Sequence, residues 1–420
     1  MKKLFLISLL FCMGILQSLA FDYTDERGVT WSCSGTCGNN PIAYIASATG
    51  YGDEVVIPEK VYDGTMEYTV TSIGFTFQDN KTLEKVTWPS TVTEIPPYMF
   101  QNCSSLKTVE NIKKVTSIVG SAFYGCNNLI ALDLGLCGIG SQAFYGCSKL
   151  QSIGESAKCT SVGYGAFQSC SSLEKIDLSM CTSVGSYAFY GCSSLQTVGN
   201  PKLTSIPDNA FNGCSSLENI DLSKCTSVAF SAFSWCSKLQ NVNTSICTYI
   251  GNGAFNGCSS ITEVDLSACK KLETSAFSRC SKLENVIGLE KFKSIPEGAF
   301  SGTALKSVKL PVCTTIDHSS FYGCSSLQSV DLPVCTTIGS SSFYGCSDLQ
   351  SVNLPACTTI YFSAFRGCSN LQYVNLPVCV SIDGLDPNGY GVFEDCTSLT
   401  NLSMPQCTTV GSYAFKGCSI

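Results

Sequence analysis

The chain has 420 residues, a formal net charge of −7 and only 14% charged residues. An acidic chain with no basic patch excludes nucleic acid as its natural partner, and no apolar run reaches the ~20 residues that cross a bilayer. Ser, Thr, Asn and Gly carry most of the polarity, giving a hydrogen-bonding surface suited to glycan or protein contacts rather than electrostatic capture.

The chain opens Met1-Lys2-Lys3, runs apolar from Leu4 to about Leu16, and reaches Ser18-Leu19-Ala20. A charged start, a short apolar stretch and small residues at the end read as a secretory signal peptide over 1–20, cut after Ala20. A membrane anchor is the weaker reading because the run is short. Cys12 follows Leu10-Phe11, a poor lipid-attachment context, and leaves with the segment. Losing Lys2 and Lys3 takes the net charge from −7 to −9.

Residues 21–70 hold Trp31, Cys33, Cys37, Tyr44-Ile-Ala-Ser, Val55-Val-Ile-Pro58 and Tyr68-Thr-Val-Thr-Ser-Ile73. Alternating apolar residues bounded by Gly and Pro predict short strands and a hairpin. This segment is the expected N-terminal cap of the remaining chain, with a possible small disulfide between Cys33 and Cys37.

From about residue 71 one phrase repeats to residue 420. Its cleanest copy runs Leu327-Gln-Ser-Val330-Asp-Leu332-Pro-Val-Cys335-Thr-Thr-Ile338-Gly-Ser-Ser-Ser-Phe343-Tyr-Gly-Cys346. The closing Phe recurs sixteen times between Phe77 and Phe415, mostly every 22 or 23 residues. A fixed period in this range predicts a solenoid whose units stack only on their neighbours. Leu-x-x-Val-x-Leu alternates by two, so Val330 and Leu332 point inward and Ser329 and Asp331 outward. Thr-Ile supplies a second short strand, and Ala-Phe-x-x-Cys a tight turn that buries the Phe. The period leaves no room for a full helix. The expected fold is mainly β: a parallel sheet of short strands, short strands or turns on the return side, and only gentle curvature.

Two irregularities interrupt the pattern. Phe365 and Phe393 are 28 apart, and the surplus lies in the turn-rich run 383–391, read as a protruding loop; Asp383, Asp386 and Asn388 match no defensible calcium spacing. The chain also stops halfway through a unit at Ile420, so its end is expected to be uncapped or truncated.

Of the 28 Cys, fourteen sit three residues after a repeat Phe and eleven more follow the first strand of a unit, once per turn. These are read as two buried ladders of free thiols rather than disulfides, because stacked Cβ vectors run parallel. Metal is disfavoured: there is no Cys-x-x-Cys pair, and His318 is the only His. With one His, neither a Ser-His-Asp nor a Cys-His arrangement is credible, and no Gly-rich loop cradles a phosphate. The chain is read as no enzyme, with no cofactor.

Two outward rows remain. On the strand face stand Asp133, Asp177, Asp221, Asn243, Asp265, Asp331, Asn353 and Asn375, with Tyr373 beside them. At ~4.8 Å spacing they offer repeated donors and acceptors to a protein or glycan, or they simply keep a solvated face polar and resist edge pairing. After the Phe stand Tyr124, Tyr145, Tyr190, Tyr322 and Tyr344, with Tyr187, Tyr413 and Phe362 nearby; these either recognise a partner or lie flat along the coil.

The phrase Leu-x-x-Val-x-Leu-Pro-x-Cys-Thr-x-Ile-Gly-x-x-Ala-Phe-x-x-Cys resembles the BspA-like, or treponemal-type, leucine-rich repeat, from about Thr71 to Ile420. The resemblance implies a leucine-rich-repeat solenoid and places the chain among secreted and surface proteins of bacteria and some parasitic protists, several of them adhesins for host matrix proteins or other cells. The chain departs from the pattern in its Cys before Thr-Ser-Ile-Gly and in showing no attachment segment. The expected function is a non-enzymatic secreted or surface binding protein, adhesin-like, recognising protein or glycan on host or neighbouring cells. The alternatives are glycan capture and a structural scaffold.

Overall fold

A computed structural model of the chain describes residues 18–154, 157–199, 201–382 and 390–420. It divides into two compact units, residues 1–183 and 184–420. Both consist of short strands and tight turns; among the described residues the helical element is a single 3-10 turn, Leu289–Lys291.

The first unit begins with a five-stranded sheet in the order Ser18–Thr24, Thr30–Thr36, Ile42–Thr49, Glu67–Ile73, Lys60–Tyr62. Ser18–Ala20, the tail of the expected signal peptide, pair with Ser34–Thr36, and the pairing continues to Thr24. Period-two alternation places Trp31 and Cys33 inside and leaves Ser32 and Ser34 outside. Trp31 leads an aromatic relay into the coil: it packs on Phe75 at 6.2 Å, Phe75 meets Phe77 edge-on at 5.0 Å, and Phe77 stacks on Phe100 at 5.8 Å.

Within each unit up to three ladders tie one turn to the next. On the front, three-residue strands pair in parallel, as Ser351–Asn353 does with Tyr373–Asn375. On the back, two-residue strands pair, as Thr315–Ile316 does with Thr337–Ile338. The third ladder runs through the Phe turns. There the N–H groups of Ser341, Phe343 and Gly345 donate to Phe362, Ala364 and Arg366 of the following turn, at 3.0, 2.8 and 2.8 Å. The intervening Ser342, Tyr344 and Cys346 donate within their own turn, at 3.3, 3.1 and 3.2 Å. This alternation requires left-handed backbone two residues before and after the Phe. Gly345 supplies it freely at φ 70°, but Ser341 at φ 53°, Trp235 at φ 63° and Arg279 at φ 60° adopt it too. A non-Gly residue there costs of order 1–2 kcal/mol, offset by the ladder bonds the geometry makes. The coil makes about 13 turns rather than sixteen, and its front pairing thins to single bridges at Ala131, Ser152 and Asn219.

The core is a column of phenylalanines. In the second unit Phe211, Phe233, Phe255 and Phe277 stack nearly parallel at 5.4, 5.4 and 5.3 Å, all fully buried. Offset stacking at this separation suits the ring quadrupoles. Beside the column runs the first thiol ladder. Cys236, Cys258 and Cys280 donate Sγ–H to the carbonyls of Phe211, Phe233 and Phe255 one turn back, at 3.1, 3.0 and 3.2 Å. In the second ladder most thiols turn onto their own strand, as Cys225 does to Ser227 O at 3.0 Å, while Cys247 reaches Cys225 O one turn back at 2.9 Å. Among the described residues the cysteines are free and, apart from Cys37, Cys407 and Cys418, buried. Cys33 and Cys37 are likewise unbridged: Cys33 reaches Trp31 O at 3.4 Å, while Cys37 lies 3.8 Å from the Tyr68 hydroxyl.

Candidate functional site

The outward Asp and Asn row splits into two chemical groups, and the residue two positions on decides which. Where Ser follows, the carboxylate or carboxamide closes its own turn. Asp177, Asp221 and Asp265 accept the N–H of Ser179, Ser223 and Ser267, each at 2.8 Å, and Asn243 takes the Ser245 N–H at 3.2 Å. These are Asx turns. Where Pro follows, no N–H is on offer. Asp331, Asn353 and Asn375 therefore keep their side chains for the surface, and Asn375 Nδ2 donates to Asn353 Oδ1 at 2.9 Å. Tyr373 stands exposed beside them. In the first unit Asp133 is exposed, with Lys113 3.9 Å away.

The serine bonds hold the three Asx carboxyls below their ordinary range. The serine hydroxyl contributes most for Asp177 and Asp265, and the serine N–H most for Asp221. A depressed folded-state pKa gives stability that is present above the unfolded value, about 3.9, and lost as pH falls through the folded one. Thermal melting is therefore expected to weaken as pH falls below about 4. A triple Asp177→Asn, Asp221→Asn, Asp265→Asn variant should flatten part of that limb, since Asn243 shows that an amide makes the same turn. An unchanged acid limb in melting curves from pH 2 to 7 would refute the assignment.

Among the post-Phe tyrosines, Tyr124 stacks on Tyr145 at 4.7 Å and Tyr322 on Tyr344 at 4.8 Å, within 4° of parallel. In each pair the two inner faces cover one another. Arg366 continues the second stack, 5.6 Å from the Tyr344 ring centre and 3.9 Å from that of Tyr390. Behind it lies the buried carboxylate of Glu394, bonded to Lys416 Nζ at 2.9 Å and 3.3 Å from Arg366 Nε. The loop expected over 383–391 and its weighed calcium site fall on 383–389, outside the described residues.

The front face departs from a continuous sheet in the second unit. Glu263–Asp265 pairs with Asn285–Ile287, but among the described residues no strand pairing joins it to Asn241 or joins Asn285–Ile287 to Ser307–Lys309. The Phe turns remain locked through this stretch, with Phe233 N to Ala254 O at 2.8 Å and Phe255 N to Ala276 O at 2.9 Å. The first break is closed beneath by Thr244, a fully buried residue in a slot held by Leu in neighbouring units. Its hydroxyl donates to Asp265 O at 2.7 Å and accepts Asp265 N–H at 3.2 Å. Above it lies a cleft of about 350 Å³ lined by Gln240, Asn241, Asn243, Thr262, Glu263 and Asp265, among others. At the second break, a cleft of about 520 Å³ forms over Val286, Leu289, Leu305 and Val308, rimmed by Glu284, Glu290 and Lys309. The 3-10 turn beside it requires Gly288 at φ +79°, where a Cβ would come within 2.7 Å of Ser267 N. Lys291 ties that turn down through two bonds of 2.6 Å, to Leu266 O and Ser267 O. Of the row expected from sequence, the structure brings Asn243 and Asp265 together at a cleft; it leaves Asp331, Asn353, Tyr373 and Asn375 on a flat sheet.

The sequence pattern of the BspA type leucine rich repeat region matches residues 71–196, 130–223, 204–328 and 293–420. The chain belongs to the BspA-type leucine-rich repeat family. The fold agrees with a leucine-rich repeat protein from Bacteroides ovatus, at 24% identity over 97% of this chain and 92% of that one, TM-score 0.54. A leucine rich cell surface protein from Faecalibacterium prausnitzii is similar at 24% identity over 91% and 94%, TM-score 0.42. No curated protein matches. BspA-type coils typically serve as binding scaffolds rather than catalysts, and among the described residues of this one no helix is long and apolar enough to cross a membrane.

Proposed function

We propose that this BspA-type protein is exported by the 1–20 segment and acts outside the cytoplasm as an adhesin-like recognition protein. Its five-stranded sheet serves as the cap that shields the first Phe of the coil, and its front face meets a protein on a host or neighbouring cell. The observation that carries this reading is the Pro-type stretch of the row. From Asp331 to Asn375 three successive turns present side chains that close no turn of their own backbone, Asn353 and Asn375 joined by one bond that leaves Asn353 Nδ2 and Asn375 Oδ1 outward, on a paired sheet with the exposed ring of Tyr373. Exposed Tyr beside amides is the composition of recognition surfaces.

The test is binding of the chain from Phe21 onward to matrix proteins and whole cells. A variant carrying Asp331→Ala, Asn353→Ala, Tyr373→Ala and Asn375→Ala is expected to lose binding by about ten-fold or more. The triple Asp→Asn variant of the Asx turns should bind as the parent does. Equal binding by parent and quadruple variant would sink the reading.

A further inference from the structure

The chemistry of the cleft above Thr244 is more specific than that of the flat sheet, and it deepens the recognition reading on which it rests. Most of its polar side chains are fixed by one atom and offer the other. Asn241 gives Nδ2 to Asn219 Oδ1 at 3.2 Å, leaving its Oδ1. Asn243 spends Oδ1 on Ser245 and leaves Nδ2. Asp265 commits one oxygen to Ser267, and Glu263 commits Oε2 to Asn285 Nδ2 at 2.5 Å. Gln240 stands exposed at the rim. One fixed amide donor, Asn243 Nδ2, thus stands among fixed oxygen acceptors from Asn241, Glu263 and Asp265, above the buried floor of Val242 and Val264, with the exposed Ile287 at one edge. Side chains held before binding lose little freedom on binding.

A vicinal diol uses such a set fully, because each hydroxyl donates and accepts at once. Other ligand classes use it less well. An added peptide strand needs free main-chain groups, and Thr244 has already taken the N–H and C=O of Asp265. Glu263 and Asp265 repel an anion. We infer that this cleft binds a neutral oligosaccharide. The second cleft lies two turns further along the same face, about 10 Å at the usual strand separation, so one chain of several sugar rings reaches both.

The experiment is titration of the whole chain, by calorimetry, with neutral gluco-, manno-, galacto- and xylo-oligosaccharides from tetramer to hexamer, alongside sialylated and sulfated counterparts. At least one neutral series is expected to bind, and the acidic counterparts are not. Gln240→Ala and Asn241→Ala should each weaken binding by several-fold, and the double variant by about ten-fold or more. Glu263→Gln, which keeps the shape, should also weaken it, while Lys60→Ala on the exposed edge of the N-terminal sheet should not. Melting temperatures report that each variant is folded. Absence of neutral-sugar binding, preference for the acidic sugars, or affinity unchanged in the double variant would overturn the inference. If the protein ignores every sugar yet still holds a protein partner through the Asp331–Asn375 stretch, the cleft assignment fails and the recognition reading stands. If it holds neither, both fail.

Discussion

Phe255→Ala is expected to lower the stability of the second unit by about 3–5 kcal/mol, the usual cost of emptying a buried Phe site. Three features place it at the upper end. The ring is fully buried, it is stacked at 5.4 and 5.3 Å on Phe233 and Phe277, and the turn that carries it bonds to the next through Phe255 N and Ala276 O. The cavity cannot collapse easily, because the neighbouring rings are held at the coil spacing by the front, back and turn ladders. Phe415 provides the internal contrast: it has one stacking partner, Phe393 at 5.5 Å, and is only half-buried. Phe415→Ala should therefore cost about 1–2 kcal/mol, the order of burying part of one side chain. Urea unfolding followed by circular dichroism measures both. Because stability in a coil is a sum of local and neighbour terms, Phe255→Ala should also broaden or split the transition, whereas Phe415→Ala should shift only its onset. Equal costs for the two variants would show that stacking along the column carries no cooperative weight.

The column, the strand faces and the two thiol ladders were legible in the sequence because each follows from a period: two along a strand, 22 or 23 along the chain. What was not legible depends on backbone conformation or on one departure from the pattern. Nothing in Trp235 or Arg279 announces left-handed backbone, but their slot two residues after the Phe holds Gly in most units, as at Gly345, Gly367 and Gly417; the slot of Ser341, two before the Phe, carries no such signal. The front-face breaks had two signs: Thr244 in a slot its neighbours fill with Leu, and the unit of Phe300, where Gly288-Leu289 replaces the usual Leu-Pro and neither Cys of the repeat is present. The division of the Asp and Asn row was readable too, as Asp-Leu-Ser against Asp-Leu-Pro, once the serine N–H is recognised as the group that the carboxylate takes.

In the native protein, alkylation is expected to be confined to Cys37 and the two half-buried ladder thiols at the end, Cys407 and Cys418, with the buried ladder thiols reacting on the order of a thousand-fold or more slower, since their labelling waits on local unfolding. Those three are the half-buried cysteines among the described residues; the others are buried. Access and acidity act together. The thiolate is the reactive form, and burial pushes Cys103 and Cys280 up to about 12 and drives Cys258 well above its ordinary value. The sulfur is also engaged, since each thiol of the first ladder supplies a second hydrogen bond to a Phe carbonyl that already accepts the N–H of its own turn, as Phe233 O does from Cys236 N at 3.1 Å and Cys258 Sγ at 3.0 Å. In an oxidising compartment, exposed thiols would be open to oxidation and exchange. The fold avoids this by keeping them closed off, protonated and aimed at carbonyls. Iodoacetamide labelling with peptide mass analysis, in buffer at pH 8 and then in urea, tests the arrangement. Adducts should appear at the three sites first and at every cysteine from Cys33 onward only after unfolding. Ladder thiols that label at the rate of Cys37, or an intact mass short of the hydrogens expected for free thiols, would show that the ladders are open or bridged.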